Sequence, residues 1–163
     1  MARCVRVPQQ VPRRAPPSTS RPPPDAFDLA ARLLGLRPHS ELEVRQKLRR
    51  RGCSPNAIDE AMSRARGLGY LDDAAFANAL VARRARTRGP AIVAAELAIK
   101  GIDREVAQDA LRAVDRTAQV AAARRLAARS AHSDRRVVAA RLLRRGFAHA
   151  VIREALELDL DPD

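Results

Sequence analysis

The sequence predicts an all-α fold, three tandem three-helix repeats that form an elongated, curved array. Three observations carry this expectation. First, the 163-residue chain is 46% hydrophobic, but 33 of those residues are Ala, four are aromatic (Phe27, Tyr70, Phe76, Phe147) and none is Trp. Ala leads the helix-propensity scale, and the large β-formers that fill sheets are scarce. Second, apolar residues recur at spacings of three and four. Third, one pattern recurs around Gly52, Gly101 and Gly146. All-β and doubly wound folds are unfavourable for this composition.

The repeat explains each element in turn. Residues 1–24 hold seven prolines, five Arg and no acid, with no periodic apolar pattern, and are expected to be a disordered basic tail. The first repeat, 25–69, opens with a helix over 26–36 carrying Phe27, Ala30, Leu33 and Leu34. Ser40 and Glu43 form a capping box for a second helix, whose Val44 and Leu48 share one face. Arg51 closes that helix at its negative end, Gly52 supplies the left-handed residue that terminates it, and Cys53 pins the turn to the core. A third helix starts at Ser54 with Pro55 in its first turn and carries Glu60, Ala61 and Met62.

The second repeat, 70–114, has a helix over 72–87 with Ala75, Phe76, Ala79, Leu80 and Arg83. Val93, Leu97, Lys100, Gly101 and Ile102 then occupy the same columns, Asp103 is the next N-cap, and Asp109, Ala110 and Leu111 follow. The third repeat, 115–158, has a helix over 116–130 with Val120, Ala123, Leu126 and Ala127. Its columns are Val138, Leu142, Arg145, Gly146, Phe147, Glu154, Ala155 and Leu156, and Ala148 leaves its last helix without a capping side chain. Residues 159–163 form an acidic end. No single repeat buries enough surface alone, so the repeats are expected to stack.

The charge points to a polyanionic partner. Thirty-one Lys and Arg against 19 Asp and Glu leave a net charge of +12. The cations gather at three places: Arg45, Arg49, Arg50 and Arg51; Arg83, Arg84, Arg86 and Arg88; and Arg135, Arg136, Arg141, Arg144 and Arg145. As a set they suggest a surface that follows a phosphate backbone without reading bases. Tyr70, Phe76 and Phe147 are expected in the core, so binding should be electrostatic, salt-sensitive and without base stacking.

Enzymatic chemistry finds no support in the sequence. It has no phosphate-cradling glycine loop, dinucleotide fingerprint or nucleophile elbow. Cys4 and Cys53 lack ligand-spaced partners, and His39, His132 and His149 fall at helix flanks where exposed, inert histidines are common. The paired Asp72 and Asp73 open a helix, where capping is the expected role. No metal, cofactor or catalytic residue is expected, the absence of a long apolar run fits a soluble cytoplasmic protein without a membrane segment, and a repeat array with satisfied ends is expected to be a monomer. A nonspecific DNA-binding helical-repeat protein and a helical scaffold for another protein are the competing readings.

Residues 69–102 narrow the choice: Gly69-Tyr70-Leu71-Asp72-Asp73, Phe76-Ala77, the Arg83 to Arg88 run, Gly89-Pro90, Ile92, Glu96-Leu97 and Lys100-Gly101-Ile102. This segment closely resembles the RecX family of bacterial recombination regulators, and Leu34 through Ser40-Glu41 to Lys47-Leu48 and Gly52 resembles that family's first repeat. The resemblance covers about residues 28–158. It implies three tandem three-helix repeats and a non-enzymatic negative regulator of the RecA recombinase. Such proteins lie in the groove of the RecA filament on single-stranded DNA, limit its extension, and reduce ATP hydrolysis, strand exchange and co-protease activity. The contact candidates are Arg45, Arg49, Arg83, Arg84, Arg86, Arg88, Arg141 and Arg145, with Asp72 and Asp73 as acids that meet a basic patch on RecA. Tyr70, Leu71, Phe76, Val93, Leu97 and Ile102 are assigned to the architecture.

Overall fold

The computed structural model describes residues 25–130 and 133–156; the basic tail, His132 and the acidic end lie outside them. Among the described residues there are nine helices and no strand. They are α1 (Ala26–Leu36), α2 (Glu41–Arg50), α3 (Pro55–Gly67), α4 (Asp73–Arg84), α5 (Pro90–Ile99), α6 (Arg104–Arg112), α7 (Arg116–Ala128), α8 (Arg135–Arg144) and α9 (His149–Leu156). Side-chain oxygens of Asp25, Ser40, Ser54, Asp72, Asp103, Asp115 and Asp134 accept first-turn amides, so seven helix starts have orphan donors satisfied locally.

The repeat columns describe one helix ending used repeatedly. Gly52, Gly101 and Gly146 take φ of 81°, 76° and 85°, the left-handed region that ends a helix without a Cβ penalty. Cys53, Ile102 and Phe147 then donate their amides to Leu48, Leu97 and Leu142, five residues back, at 3.2, 3.1 and 3.2 Å. This closes a Schellman turn over each buried leucine. Val44, Val93 and Val138 lie one turn earlier on the same face and are buried as well.

The helices pack in three trios, α1–α3, α4–α6 and α7–α9, each around its own core. Leu71 belongs to the first core, although it follows the turn that leads to the second trio. Two helices stop short of their expected ends. The pattern predicts 72–87 and 116–130, but α4 ends at Arg84 and α7 at Ala128. After Arg84 the chain must leave the helix so that Gly89 can donate its amide to the Arg145 carbonyl at 2.8 Å, in the third trio. Tertiary hydrogen bonding overrides good local propensity there.

Tyr70 and His39 also depart from expectation. Tyr70 is 55% exposed: Gly69, at φ 71°, turns the chain so that Leu71 takes the buried position and the Tyr70 ring stays outside. His39 is 4% exposed, held between the Arg37 carbonyl and the Lys47 ammonium.

Candidate nucleic-acid interface

The trios join head to tail through one recurring contact. The N-terminus of α2 sits on the turn after α5: Ser40 Oγ donates to the Lys100 carbonyl at 2.7 Å, and Gly101 faces Leu42. The N-terminus of α5 likewise sits on the turn after α8, where Gly89 meets the Arg145 carbonyl and Gly146 faces Ile92. Ser40 and Gly89 stand twelve residues before their own turn glycines, so both are the same repeat position. Each junction sets the positive end of one helix dipole against the negative end of the next. Asp73 reinforces the first junction by accepting the Glu41 amide at 3.0 Å, and Glu43 holds the Lys100 ammonium.

A groove lies at each junction. The first, about 290 Å³, is lined by Arg37, Pro38, Phe76, Ala79, Leu80, Arg83, Arg84, Glu96 and Lys100. The second, about 140 Å³, is lined by Thr87, Leu126, Arg129, Ser130, Val138, Arg141, Leu142 and Arg145. Their charges differ through one repeat column. Five residues before the turn glycine stands Glu96 in the second trio and Arg141 in the third. The second groove therefore gathers Arg129, Arg141 and Arg145 with no acid in its lining. Arg141 bonds to Ser130 Oγ at 2.5 Å and Arg145 to the Thr87 carbonyl at 3.1 Å. Both partners are neutral, so neither cation is compensated among the described residues, and each guanidinium keeps further donors for an anion.

The eight sequence candidates separate into two groups. Arg49, Arg83, Arg86 and Arg88 are exposed and have no hydrogen-bond or ion-pair partner among the described residues, while Arg141 and Arg145 face the second groove. Arg45 and Arg84 are engaged within the chain. Arg45 pairs with Asp59 at 2.5 Å, and Arg84 places Nε and Nη2 on Glu96 Oε1 at 3.1 and 2.6 Å, joining α4 to α5. The two acids are also engaged. Asp72 caps α4 through the Ala75 amide at 2.8 Å, and Asp73 faces the first trio. Burial pushes the Asp73 carboxyl above the usual carboxylate range; the Glu41 amide opposes this, and the charges of Glu41 and Asp72 add to it.

Sequence reasoning did not single out Arg37, Lys100 and Arg129, which line the junction grooves. The Lys100 signal was present, because it shares its column with Arg145. Arg37 and Arg129 lie outside the aligned columns, and their role depends on which trios meet. Among the described residues no group of three or more His, Cys, Asp or Glu is placed to hold a metal, and no helix is long and apolar enough to cross a membrane.

The chain matches two family descriptions, RecX, first three-helix domain, over residues 26–64, and RecX, second three-helix domain, over residues 72–111. It is 38% identical over 138 residues to the Regulatory protein RecX of Chlorobium phaeobacteroides (strain BS1), covering 81% of this chain and 91% of that protein. The chain belongs to the RecX family. A further RecX relative, from Bacillus licheniformis, is 34% identical over 148 residues; the chain spans 56% of that longer protein. The crystal structure of RecX from Lactobacillus salivarius superposes with a TM-score of 0.72 at 25% identity, covering 81% of this chain and 92% of that one. The RecX family descriptions name three-helix domains at the first two trios. It is a family of regulatory proteins, with an all-α repeat fold.

Proposed function

We infer that this chain regulates RecA negatively, without catalytic chemistry of its own, by lying in the groove of the RecA filament on single-stranded DNA and limiting its extension. The family name supports the partner, and one structural observation supports the mode: a basic junction groove with no acid among the described residues that line it, repeated in weaker form one trio earlier. Three like charges around one recess repel one another unless an anion enters, and a DNA phosphate in the filament groove supplies it. The head-to-tail trios offer these sites in series, so modest affinities add along a helical filament. Reduced ATP hydrolysis, strand exchange and co-protease activity then follow from shorter filaments, placing the chain in recombinational repair and the SOS response as a cytoplasmic monomer. Arg49, Arg83, Arg86, Arg88, Arg141 and Arg145 make the electrostatic contacts. Arg45 and Arg84 act through folding, and the exposed edges of Asp72 and Asp73 meet basic groups of RecA.

The test is ATP hydrolysis by the cognate RecA filament with substoichiometric protein, beside Arg83/Arg86/Arg88→Ala and Arg129/Arg141/Arg145→Gln variants that keep native helicity. Inhibition at ratios too low to coat the DNA, weakened in both variants, supports the reading. Inhibition that begins only when the DNA is saturated means simple competition for DNA and overturns it.

A further inference from the structure

The first junction groove does not end at its cations. A second recess, lined by Leu34, Pro38, His39, Gly69, Tyr70, Asp72, Ala75, Phe76 and Ala79, shares Pro38, Phe76 and Ala79 with it. A third, lined by Ala31, Leu34, Gly35 and Tyr70, shares Leu34 and Tyr70 with the second. The three recesses adjoin in series as a groove, and α4 walls the first two. Its α4 wall is Asp72, Ala75, Phe76, Ala79, Leu80 and Arg83, the three- and four-residue spacing of a single helix face. Eleven residue steps from Asp72 to Arg83 at the α-helical rise make that wall about 16 Å long.

The groove changes character along this length. At one end stands the exposed Tyr70 ring with Leu34, and in the middle the short side chains of Ala75 and Ala79 leave open apolar floor. At the other end Arg37, Arg83, Arg84 and Lys100 line the recess; Glu43 pairs with Arg37 and Lys100 and Glu96 with Arg84, so four cations meet two acids and Arg83 has no partner among the described residues. An aromatic face followed by cations a few nucleotide lengths away complements a single strand, whose bases stack and whose phosphates carry the charge. A duplex hides its base faces and cannot use the Tyr70 end. Asp72 lies at the base end, away from the phosphates, with its charge offset by the N-terminus of α4.

We propose that the groove along α4 is a single-stranded nucleic-acid subsite, in which one base stacks on Tyr70 and the phosphates of the following two or three nucleotides meet Arg83, Arg37 and Lys100. The proposal deepens the regulatory reading. It replaces purely electrostatic binding at this site with a preference for single strands, the form of DNA on which that filament is built. It assigns a role to an exposed aromatic ring that no core requires.

The chain contains one Tyr and no Trp, so its intrinsic emission reports on Tyr70 alone. The full-length protein is titrated with a short oligothymidylate and with an abasic strand of equal length, which keeps the phosphates and lacks the bases. Tyr emission should fall with oligothymidylate and hold steady with the abasic strand. Tyr70→Ala should weaken oligothymidylate binding roughly fivefold or more and leave the abasic strand unaffected, whereas Tyr70→Phe should bind as the native chain does. Equal affinity for both strands with unchanged emission overturns the subsite and leaves the regulatory reading standing. Should RecA ATPase be inhibited while neither strand binds the free protein, the subsite also falls and recognition passes to RecA itself. Should ATPase escape inhibition while oligothymidylate still quenches Tyr70, the regulatory reading falls and the subsite survives.

Discussion

Gly89 is required for space, not for conformation. Its φ of −78° suits any residue, but a Cβ there would lie 2.1 Å from the Gly146 carbonyl oxygen, where the second trio meets the third. Backbone cannot yield as a flexible side chain does, so Gly89→Ala should cost about 1–3 kcal/mol in urea unfolding. Gly35 is the internal control. It lies within α1 with nothing within 4 Å of an added Cβ, so Gly35→Ala should stabilise by about 0.5–1 kcal/mol. The sequence shows Gly89 beside Pro90, which marks a helix start, but the clash depends on a residue 57 positions away and leaves no local signature.

His39 carries a pH dependence of similar origin. Its Nδ1–H donates to the Arg37 carbonyl at 2.8 Å, and Nε2 accepts from Lys47 Nζ at 2.7 Å, an arrangement that needs a neutral ring. Burial lowers its pKa below 6.5, the Arg37 carbonyl opposes the shift, the charges of Arg37 and Lys47 add to it, and Glu43 opposes it weakly. Above pH 6.5 both folded and unfolded chains hold a neutral ring, and the stabilisation is fully present. As pH falls through 6.5 the unfolded chain takes up the proton first, so stability declines until the folded ring is also protonated. Urea midpoints measured from pH 7.5 to 5 should therefore fall for the native chain and run flatter for His39→Gln. Glu43 acts in a separate window. Burial raises its pKa, but the Lys100 hydrogen bond and the Lys100 and Arg37 charges outweigh that and hold it below 4.5, so its contribution is lost only at more acidic pH.

At the scale of the helix, Arg83 and Arg84 divide a role that the basic run assigns to them together. One residue of α-helix turns a side chain by about 100°, so neighbours cannot share a face. Both reach the groove lining, but Arg83 is exposed with no partner among the described residues, while Arg84 crosses to α5 and grips Glu96, whose Oε2 is buried without a hydrogen bond. Arg84→Ala would leave the whole carboxylate unpaired. Because both side chains keep partial contact with solvent, the expected loss is about 1–2 kcal/mol in thermal unfolding. Arg83→Ala should stay within about 0.5 kcal/mol of the native chain and instead flatten the salt dependence of DNA binding by about 0.7 in log–log slope. The helices themselves were legible because caps, turn glycines and buried stripes are local. The division between Arg83 and Arg84 was not, since it is decided by a partner twelve residues away on another helix.

Across the whole molecule, the three-fold repeat was legible in its columns, but the head-to-tail docking was not. Columns record what each trio needs internally; the junction uses the Ser40 hydroxyl and backbone groups of Lys100, Gly89 and Arg145, and backbone groups leave no side-chain pattern to read. The junctions are also thin beside the cores. The third trio is tied to the second through Gly89 on Arg145, Arg145 on Thr87, and Gly146 against Ile92. Its own core includes Ala122, Ala123 and Ala155, so much of its apolar content rests on Leu142, Phe147 and Ile152. In a linear array, stability is approximately the sum of unit terms and nearest-neighbour terms. Leu142→Ala removes about 2–5 kcal/mol from one unit, more than so small an interface is expected to return. Hydrogen exchange should then show α7–α9 opening while α1–α6 keep their protection, and helical ellipticity in urea should split into two transitions. A single transition, shifted as a whole, would mean that the junction couples the trios strongly enough to make the array one cooperative unit.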